Sequence, residues 1–244
     1  PGPPARFDRP VRFARRARIF PAPMASSQRP IIVGTGIAGL WTAWRLAADG
    51  QPSVLLTKGL LADSASAWAQ GGIAVALGPG DSPSQHAADT LAAGDGMSDP
   101  EAVRVLTNEG PDRIRELLAA GAIFDRGPDG SLRFGLEAAH TRPRIIHAGG
   151  DQTGAAIVAF LTEIVRRHPL IEILRYTEVA ALSHDGARVR GAIAIRNGEA
   201  LELEAQDVVL ATGGVGQLYE VTTNPLVATG DGWALAWQVA AELR

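Results

Sequence analysis

The clearest pattern of apolar and polar positions lies early in the chain. A short apolar run at 31–33 leads into glycines, then into an amphipathic stretch that ends at Gly50, and then into a second apolar run at 53–57. A buried strand, a helix with one apolar stripe and another buried strand produce this order of patterns. The pattern therefore predicts a β-α-β unit with parallel strands.

Helix signals dominate the middle of the chain. Ser84 and Asp99 are predicted N-caps, and Pro100 suits the first helical position after Asp99. Pro111 follows a glycine and repeats this start signal, which predicts that a separate helix begins there. Residues 151–168 show a long amphipathic pattern with basic residues in its last turn, which favours another helix.

The remaining pattern is typical of strands. Residues 171–206 predict three or four strands, with Asp-Gly at 185–186 and Asn-Gly at 197–198 as turns between them. The apolar run at 207–211 predicts a further buried strand, and a helix is expected near the C-terminal end. This order indicates an α/β fold class: one Rossmann-like nucleotide-binding domain with inserted helices and a β-meander.

Composition excludes several classes of function. The 244 residues carry a net charge of −3, so the chain as a whole has no bias towards polyanions, and no apolar run approaches the ~20 residues that span a bilayer. The chain contains no cysteine, which excludes disulfides, iron–sulfur ligation and thiolate zinc. This composition fits a reducing compartment, and we expect a cytoplasmic protein.

Residues 1–23 differ from the rest of the chain. They carry six arginines and one acid, and they show neither a helical nor a strand period. A transit peptide would have this composition, and so would upstream read-through before a natural start at Met24. In either case we expect residues 1–23 to be a disordered or non-native basic leader and residues 24–244 to be the folded domain.

A glycine motif follows the first predicted strand. Gly34, Gly36 and Gly39 form a G-x-G-x-x-G between a strand and a helix. The first glycine allows a tight turn, the second lets the backbone approach a pyrophosphate, and the third lets the helix pack on the strand. Amide groups and the helix dipole then hold the phosphates. In this context the motif predicts dinucleotide binding, with a purely structural glycine turn as the alternative.

The residue that usually accompanies this motif is missing. An acid at the end of the second strand commonly binds a ribose hydroxyl, but Thr57 and Lys58 stand there. A neutral hydroxyl and a cation replace the carboxylate, which argues against a plain NAD enzyme.

One stretch concentrates charge. Residues 134–150 contain one acid, two histidines and two arginines: Glu137, His140, His147, Arg142 and Arg144. Glu137 and His140 are three apart, as in helical metal sites, but no second Glu-x-x-His occurs and Pro143 would interrupt a helix. Nucleic-acid binding would need more aromatics and a wider basic field. We therefore expect neither a metal nor a nucleic acid, and we interpret the arginines as ion-pair or pocket-wall residues.

Other histidines and the tryptophans are interpreted from local pattern alone. Histidines at predicted helix ends or turns are expected on the surface: His86, His168 and His184. Tryptophans that recur at helical spacing are expected in the core: Trp41, Trp44, Trp233 and Trp237.

Several segments together resemble one group of flavoproteins. They are VGTGIAGL, LLTKG, SASAWAQGGIA, DTLAAGDGMSDPEAV, HAGGDQTG, VVLATGGVGQLY and TTNPLVATGDGWALAW. The group contains L-aspartate oxidase and the flavoprotein subunits of succinate dehydrogenase and fumarate reductase. Thr-Lys after the second strand is normal in this group. The resemblance implies that the chain is the N-terminal part of a longer protein, truncated before its capping domain, with the catalytic residues beyond Arg244.

The resemblance also implies FAD as the cofactor. The positions expected to bind it are Gly34, Thr35, Gly36, Ile37, Ala38, Gly39, Lys58, Ala65, Ser66, Ala67, Trp68, Ala69, Gln70, Gly71, Gly72, Val179, Thr212, Gly213, Gly214 and Asp231. Respiratory members of the group carry a histidine, covalently bonded to FAD, at the position of Ala65. Because alanine has no nucleophile, non-covalent FAD is expected.

Glu137 matches a substrate-binding position of the group. The segment LEAAHTRPRIIHA is similar to the part of L-aspartate oxidases in which a glutamate faces the substrate ammonium group. A carboxylate there would attract aspartate and repel succinate, which has no cation. The alternative is a structural salt bridge from Glu137 to Arg142 or Arg144.

The expected reaction is oxidation of L-aspartate to iminoaspartate, on the quinolinate route to NAD, with oxygen or fumarate as electron acceptor. A soluble fumarate reductase or succinate dehydrogenase-type flavoprotein is the first alternative, and an inactive FAD-binding fragment is the second. The next enzyme of quinolinate synthesis is a possible partner, whereas no membrane partner is expected.

Overall fold

The computed structural model describes residues 29–243. The predicted leader, residues 1–23, lies outside the described residues. Within the described part the strands are β1 (Ile31–Val33), β2 (Ser53–Thr57), β3 (Ile73–Ala74), β4 (Ile145–Ile146), β5 (Ile171–Arg175), β6 (Thr177–His184), β7 (Val189–Arg196), β8 (Glu199–Glu204) and β9 (Val208–Leu210). The helices are α1 (Ile37–Ala48), α2 (Pro83–Ala93), α3 (Pro100–Ala119), α4 (Thr153–Arg167) and α5 (Asp231–Gln238), with a short 3-10 helix at Gly216–Leu218.

A four-stranded parallel sheet forms the centre of the domain. Its strand order is β5-β2-β1-β9, and all three strand pairs are parallel. The predicted β-α-β unit is therefore confirmed as β1, α1 and β2. The predicted strand at 207–211 is β9, which lies at the sheet edge and is only half-buried rather than buried. A strand at the edge has one neighbour, so one side of it stays open.

The two faces of this sheet are covered by different layers. Ile32 and Leu55 point to the face that packs on α1 and α4. Their strand neighbours, such as Val33 and Leu56, point to the opposite face, where β6 and β7 pack. Because side chains alternate along a strand, continuous apolar runs such as these need a cover on both faces.

The covering sheet is the predicted meander, with one change. β6, β7 and β8 form an antiparallel sheet, and the turn at Asn197 and Gly198 has positive φ at both residues, as an Asn-Gly hairpin requires. β5, however, belongs to the parallel sheet. Only Tyr176, with a φ of 52°, separates β5 from β6, and this sharp corner carries the chain from one layer to the next.

Two predicted helix boundaries are wrong. Ser82, rather than Ser84, caps α2: its side chain accepts a hydrogen bond from the Gln85 amide at 3.3 Å. Pro111 does not start a helix, because it lies inside α3, which is 20 residues long and runs from Pro100 to Ala119. The internal proline costs about 3 kcal/mol, but the buried face of α3 on both sides of it offsets this cost.

Several predictions for single aromatic and imidazole side chains also change. Trp41 and Trp44 pack against the core as predicted. Trp233 and Trp237 are 52% and 73% exposed, so the core interpretation of these two is wrong. α5 buries Gly232 and Leu235 instead. The surface interpretation of one histidine is wrong as well, since His86 is only 6% exposed.

No helix within residues 29–243 combines the length and the apolar character that crossing a bilayer requires.

Candidate functional site

A cleft of about 410 Å³ opens at the carboxyl ends of β1, β2 and β9. In an open parallel sheet this is the edge where ligands bind, beside the strand at which the chain changes direction across the sheet. Here that strand is β1, because β2 lies on one side of it and β9 on the other. The start of β6 and the first turns of α5 complete the wall.

The glycine turn after β1 forms the floor of the cleft. Gly34 has a φ of +110°, and a Cβ atom placed on it would lie 2.3 Å from the carbonyl oxygen of Ala211. A Cβ on Gly39 would lie 1.9 Å from the carbonyl oxygen of Gly34. These two glycines therefore permit the tight turn and the close approach of helix and strand, which confirms their predicted conformational roles.

The N-terminal end of α1 lies at the cleft, where Gly36 and Ala38 line it. Gly36 is the N-cap, and no acid lies in the first turn of the helix. The Ile37 amide donates to Ser66 Oγ at 3.2 Å. A Cβ on Gly36 would lie 3.1 Å from Ser66 Oγ, which is a tight contact with a side chain rather than with backbone. A helix end of this kind attracts phosphate.

Lys58 stands where an acid is usual, and its ammonium group is paired. Lys58 Nζ donates to Asp231 Oδ2 at 2.6 Å and to Thr229 Oγ1 at 2.5 Å, and the Thr229 hydroxyl donates to Asp231 Oδ1 at 2.7 Å. Burial by itself raises the pKa of Asp231, but the hydrogen bonds from Lys58 and Thr229 outweigh it and hold that pKa below its usual value. The cleft thus contains an ion pair that joins β2 to α5.

Two glycines leave part of the cleft wall open. Gly213 has a φ of +76°, and a Cβ on either Gly213 or Gly214 would meet no atom within 4 Å. Both glycines line the cleft, together with Thr212 and Val179. The missing side chains at these two positions leave room for a flat or extended ligand.

The predicted cofactor positions divide into three sets. Those that line the cleft are Gly34, Thr35, Gly36, Ala38, Lys58, Ala65, Ser66, Val179, Thr212, Gly213, Gly214 and Asp231. Gln70 and Gly71 line a second cavity of about 500 Å³. The lining of neither cavity includes Ile37, Gly39, Ala67, Trp68, Ala69 or Gly72.

The second and third sets have structural explanations. Gly39 is covered by its own turn, and Trp68 is 60% exposed. A Cβ on Gly72 would lie 2.4 Å from Ile145 Cγ2 and 2.8 Å from His147 Nε2, so Gly72 packs on the strand that carries Ile145. Cofactor contact stays a prediction for these positions.

A glycine that the sequence interpretation missed holds segment 65–72 in place. A Cβ on Gly154 would lie 2.0 Å from the carbonyl oxygen of Ser66, and the Gly154 amide donates to the Ala69 carbonyl at 3.0 Å. The N-terminus of α4 therefore packs directly on this segment. A glycine in the first turn of a predicted helix was the available signal, because glycine in a helix needs a packing reason.

Glu137 lies on the Glu137 loop, residues 136–143, outside the lining of the first cleft. Its side chain is 56% exposed, and its carboxylate Oε1 lies 3.8 Å from His147 Nε2. Gly135 and His147, on either side of the loop, line the second cavity. The alternative of a Glu137–Arg144 salt bridge is wrong, because Arg144 pairs with Asp81 and Asp89.

Arg144 is fully buried, and its guanidinium donates three hydrogen bonds to carboxylates and lies 3.2 Å from His140 Nδ1. Burial lowers the pKa of its guanidinium, but hydrogen bonds to Asp81 and Asp89 outweigh burial and keep that pKa above its ordinary value. The pKa of Asp89 is lowered, chiefly by the hydrogen bond from the Thr141 amide. Burial first, then the Arg144 charge and His140, lower the pKa of His86 from 6.5. The ion-pair interpretation of Arg144 is confirmed.

Among residues 29–243, no group of three or more His, Asp or Glu side chains could hold a metal ion.

Comparison with known proteins identifies the cofactor. A family model described as an FAD binding domain matches residues 29–244. The chain belongs to this family of FAD-binding domains. Its cofactor is therefore FAD. The first cleft offers a helix end with no acid in its first turn, a glycine floor and open backbone at Gly213 and Gly214, which suit a dinucleotide with a flat ring system, so the residues present fit the cofactor.

Individual relatives of this FAD-binding domain are curated L-aspartate oxidases. The Streptomyces coelicolor protein is 45% identical over 229 residues, which cover 91% of this chain and 40% of that relative. The Agrobacterium fabrum protein is 50% identical over 215 residues, which cover 87% of this chain and 41% of that relative. The chain thus spans about two fifths of the length of these relatives.

A solved structure gives the same fold. The FrdA subunit of E. coli quinol fumarate reductase, in a variant form, superposes with a TM-score of 0.81 at 30% identity, over 86% of this chain and 37% of that one. The FAD-binding domain therefore has the fold of this fumarate reductase subunit, as the sequence predicted.

Proposed function

We propose that this chain is the FAD-binding part of an L-aspartate oxidase, which converts L-aspartate to iminoaspartate. The observation that carries the proposal is the 45% and 50% identity to curated L-aspartate oxidases over nearly the whole chain. The proposal includes oxygen or fumarate as electron acceptor and a place on the quinolinate route to NAD. A contact with the next enzyme of that route and a cytoplasmic location stay predictions.

The first cleft has a defined task in this proposal. Bound FAD supplies the acceptor for the electron pair that leaves the substrate carbon. The turn from Gly34 to Gly36 and the first amides of α1 hold the pyrophosphate, because they combine a close backbone approach with the positive end of the helix dipole. Lys58 adds a cation to the same cleft and orients Asp231.

Non-covalent binding is part of the proposal. Ala65 lines the cleft, and its methyl group cannot form a bond to the cofactor. Every contact from segment 65–72 to FAD would then be a hydrogen bond or a packing contact. Precipitation in acid should release all of the flavin from the protein into the supernatant.

Glu137 is the proposed partner of the substrate ammonium group. Its carboxylate is half-exposed, and Oε1 lies 3.8 Å from His147 Nε2, which is longer than a hydrogen bond. A carboxylate without a close partner can accept a charge-assisted hydrogen bond from an incoming ammonium group. The same charge repels a substrate that carries only carboxylates, so Glu137 would select aspartate over succinate.

A dicarboxylate oxidoreductase is the second candidate. It is favoured by the superposition on a fumarate reductase subunit. The two candidates differ at the substrate amine, because only the oxidase needs a group that recognises it.

The deciding experiment is anaerobic reduction of the flavin. The longest reading frame that contains this chain is expressed, and the purified yellow protein is mixed with aspartate or with succinate. We expect aspartate to bleach the flavin absorbance and succinate to leave it unchanged. Reduction by succinate alone, or reoxidation of pre-reduced flavin by fumarate in a protein that ignores aspartate, would replace the proposal with the second candidate.

A matched substitution tests Glu137. Glu137→Gln keeps the size of the side chain and removes its charge, so FAD content should stay unchanged. We expect a rise in the KM for aspartate of about tenfold or more, because a charge-assisted hydrogen bond is lost. Unchanged turnover of aspartate by this variant would contradict the assigned role.

A further inference from the structure

The most heavily buried charges of the described residues lie next to the Glu137 loop. Arg144 Nε donates to Asp81 Oδ2 at 3.0 Å, and Nη2 donates to Asp81 Oδ1 at 2.8 Å. Arg144 Nη1 donates to Asp89 Oδ2 at 2.6 Å. The exposed fractions of these side chains are 0% for Arg144, 1% for Asp81 and 9% for Asp89. We refer to these three residues as the arginine anchor.

The arginine anchor ties the Glu137 loop to α2. Asp81 comes just before α2 and Asp89 lies within it, whereas Arg144 directly follows the loop. Asp89 Oδ2 also accepts hydrogen bonds from the Thr141 amide at 2.8 Å and from the Thr141 hydroxyl at 2.9 Å. One carboxylate therefore holds the loop at two points, since Thr141 is inside the loop and Arg144 follows it.

The base of the loop is closed as well. The Gly135 amide donates to the Ile145 carbonyl at 2.8 Å, and the amides of Arg144 and Ile145 donate to the Gly135 carbonyl at 3.0 Å each. Within the loop, the His140 amide donates to the Glu137 carbonyl at 3.2 Å. The backbone that carries Glu137 is thus constrained at its base, at Thr141 and next to Glu137 itself.

The same anchor is linked to the segment proposed to line the flavin. Arg144 is followed directly by β4, which pairs with β3, and β3 directly follows segment 65–72. The Val75 amide donates to the Arg144 carbonyl at 2.9 Å. The paired strands β3 and β4 therefore fix the position of the Glu137 loop relative to segment 65–72.

Stability alone does not explain three buried charges. Well-packed apolar residues stabilise a core as well as a buried ion pair does or better, because desolvation offsets much of the attraction between the charges. A buried ionic cluster does, however, specify one geometry. Among residues 29–243, the Glu137 carboxylate makes only the 3.8 Å contact with His147, so its direction depends on the backbone that the anchor holds.

We infer that Arg144, Asp81 and Asp89 are positioning residues that hold Glu137 at the substrate amine and so contribute to the selection of aspartate over succinate. The inference rests on the proposed function. It makes the anchor a specificity device that acts through Glu137 and touches neither substrate nor cofactor.

Two substitutions of different severity test the inference in the full-length protein. Thr141→Val removes only the hydroxyl bond to Asp89 from an exposed loop position, so it should not affect folding. Asp89→Asn removes the charge that binds both Arg144 and Thr141. The control is Glu116→Gln, which breaks the ion pairs of Glu116 with Arg45 at 3.2 Å and with Arg113 at 2.8 Å, in which the loop takes no part.

The measurements are the KM and kcat for aspartate, the inhibition constant of succinate, the FAD content, and hydrogen exchange of the loop amides. We expect Asp89→Asn to raise the KM for aspartate about tenfold and Thr141→Val to raise it by a smaller factor. The inhibition constant of succinate and the FAD content should stay unchanged. Loop amides should exchange faster in both variants. Glu116→Gln should change none of these quantities.

Two other outcomes are distinguishable. If the unsubstituted protein oxidises aspartate and the ratio of KM for aspartate to the succinate inhibition constant is the same in both variants as in the control, the inference is wrong and the anchor is structural. If the unsubstituted protein does not oxidise aspartate, the proposed function fails, and the inference fails with it because no amine-binding site needs positioning.

Discussion

The glycine turn after β1 and the Glu137 loop both connect secondary-structure elements, yet they are built in opposite ways. In the turn, the shape depends on close backbone packing: a Cβ on Gly39 would meet the Gly34 carbonyl, and a Cβ on Gly34 would meet the Ala211 carbonyl. In the loop, the shape follows from carboxylates 52 to 63 residues away along the chain. The turn depends on the absence of side chains at its glycines, whereas the loop depends on charges that the fold brings together.

This difference separates two kinds of functional precision. The turn cannot take a side chain at Gly34 or Gly39, because each of these glycines packs against a backbone carbonyl. A loop held by ion pairs tolerates changes at its own surface but fails when a distant partner is removed. Substitutions should therefore affect the turn through steric overlap and the loop through unpaired charge.

The largest effect is expected from Gly39→Ala. The new Cβ would lie 1.9 Å from the Gly34 carbonyl oxygen, so α1 could not pack on β1. We expect a loss of more than about 4 kcal/mol, which is a large part of the stability of an ordinary domain, and little folded protein. The yield of soluble protein and the midpoint of thermal unfolding measure this loss of stability. Gly36→Ala is the control, since its Cβ would meet side-chain atoms of Ser66 and Ser64, the nearest being Ser66 Oγ at 3.1 Å, and no backbone atom; it should fold and bind FAD more weakly.

Arg144→Met should have the next largest effect. It leaves Asp81 and Asp89 buried without their cation, which costs about 3–5 kcal/mol. Arg190→Met breaks an ion pair with Asp185 whose members are 52% and 41% exposed, and it should cost less than about 1 kcal/mol. Urea unfolding of both variants compares them. Equal losses of unfolding free energy in the two variants would show that burial does not determine how much the arginine anchor contributes to stability.

Lys58→Met should affect binding more than folding. Lys58 pairs with Asp231 at the cleft, and without it an unpaired carboxylate faces an anionic cofactor. We expect FAD to bind about tenfold more weakly, measured by the fluorescence of released flavin. Lys58 is the only lysine of the sequence, so protection of one amine from reductive methylation by FAD gives an independent check. Full labelling in the presence of FAD would argue against its place at the cofactor.

The smallest effect is a pH dependence from His86. Burial first, and then Arg144 and His140, lower its pKa below 6.5, while Asp81 and Asp89 act in the opposite direction. As the pH falls below 6.5, His86 binds a proton in the unfolded chain but not in the folded chain, so the free energy of unfolding decreases. We expect the urea midpoint of His86→Gln to change less between about pH 7.5 and about pH 5.5 than the urea midpoint of the unsubstituted protein. The carboxylates stay ionised in this pH window. An unchanged difference would exclude His86 as the source.

Local pattern was sufficient for the elements that form the first cleft. The β1-α1-β2 unit, the glycine turn and the hairpin at Asn197 follow from periodicity and from residues that suit positive φ, and these are short-range properties. Local pattern failed at Pro111, where the buried face of α3 outweighs the helix-breaking tendency of proline. It also failed for Trp233 and His86, because helical spacing and turn position do not reveal what packs against a side chain.

The sequence by itself determined that this is an FAD-binding domain, since its glycine motif and its similarity to known families are properties of residue order. Only the tertiary structure decided that Asp81, Asp89 and Arg144 meet, that Lys58 pairs with Asp231, and that β5 leaves the meander for the parallel sheet. The reason is physical: backbone preferences act over a few residues, whereas buried charges find their partners only when the folded core excludes water around them.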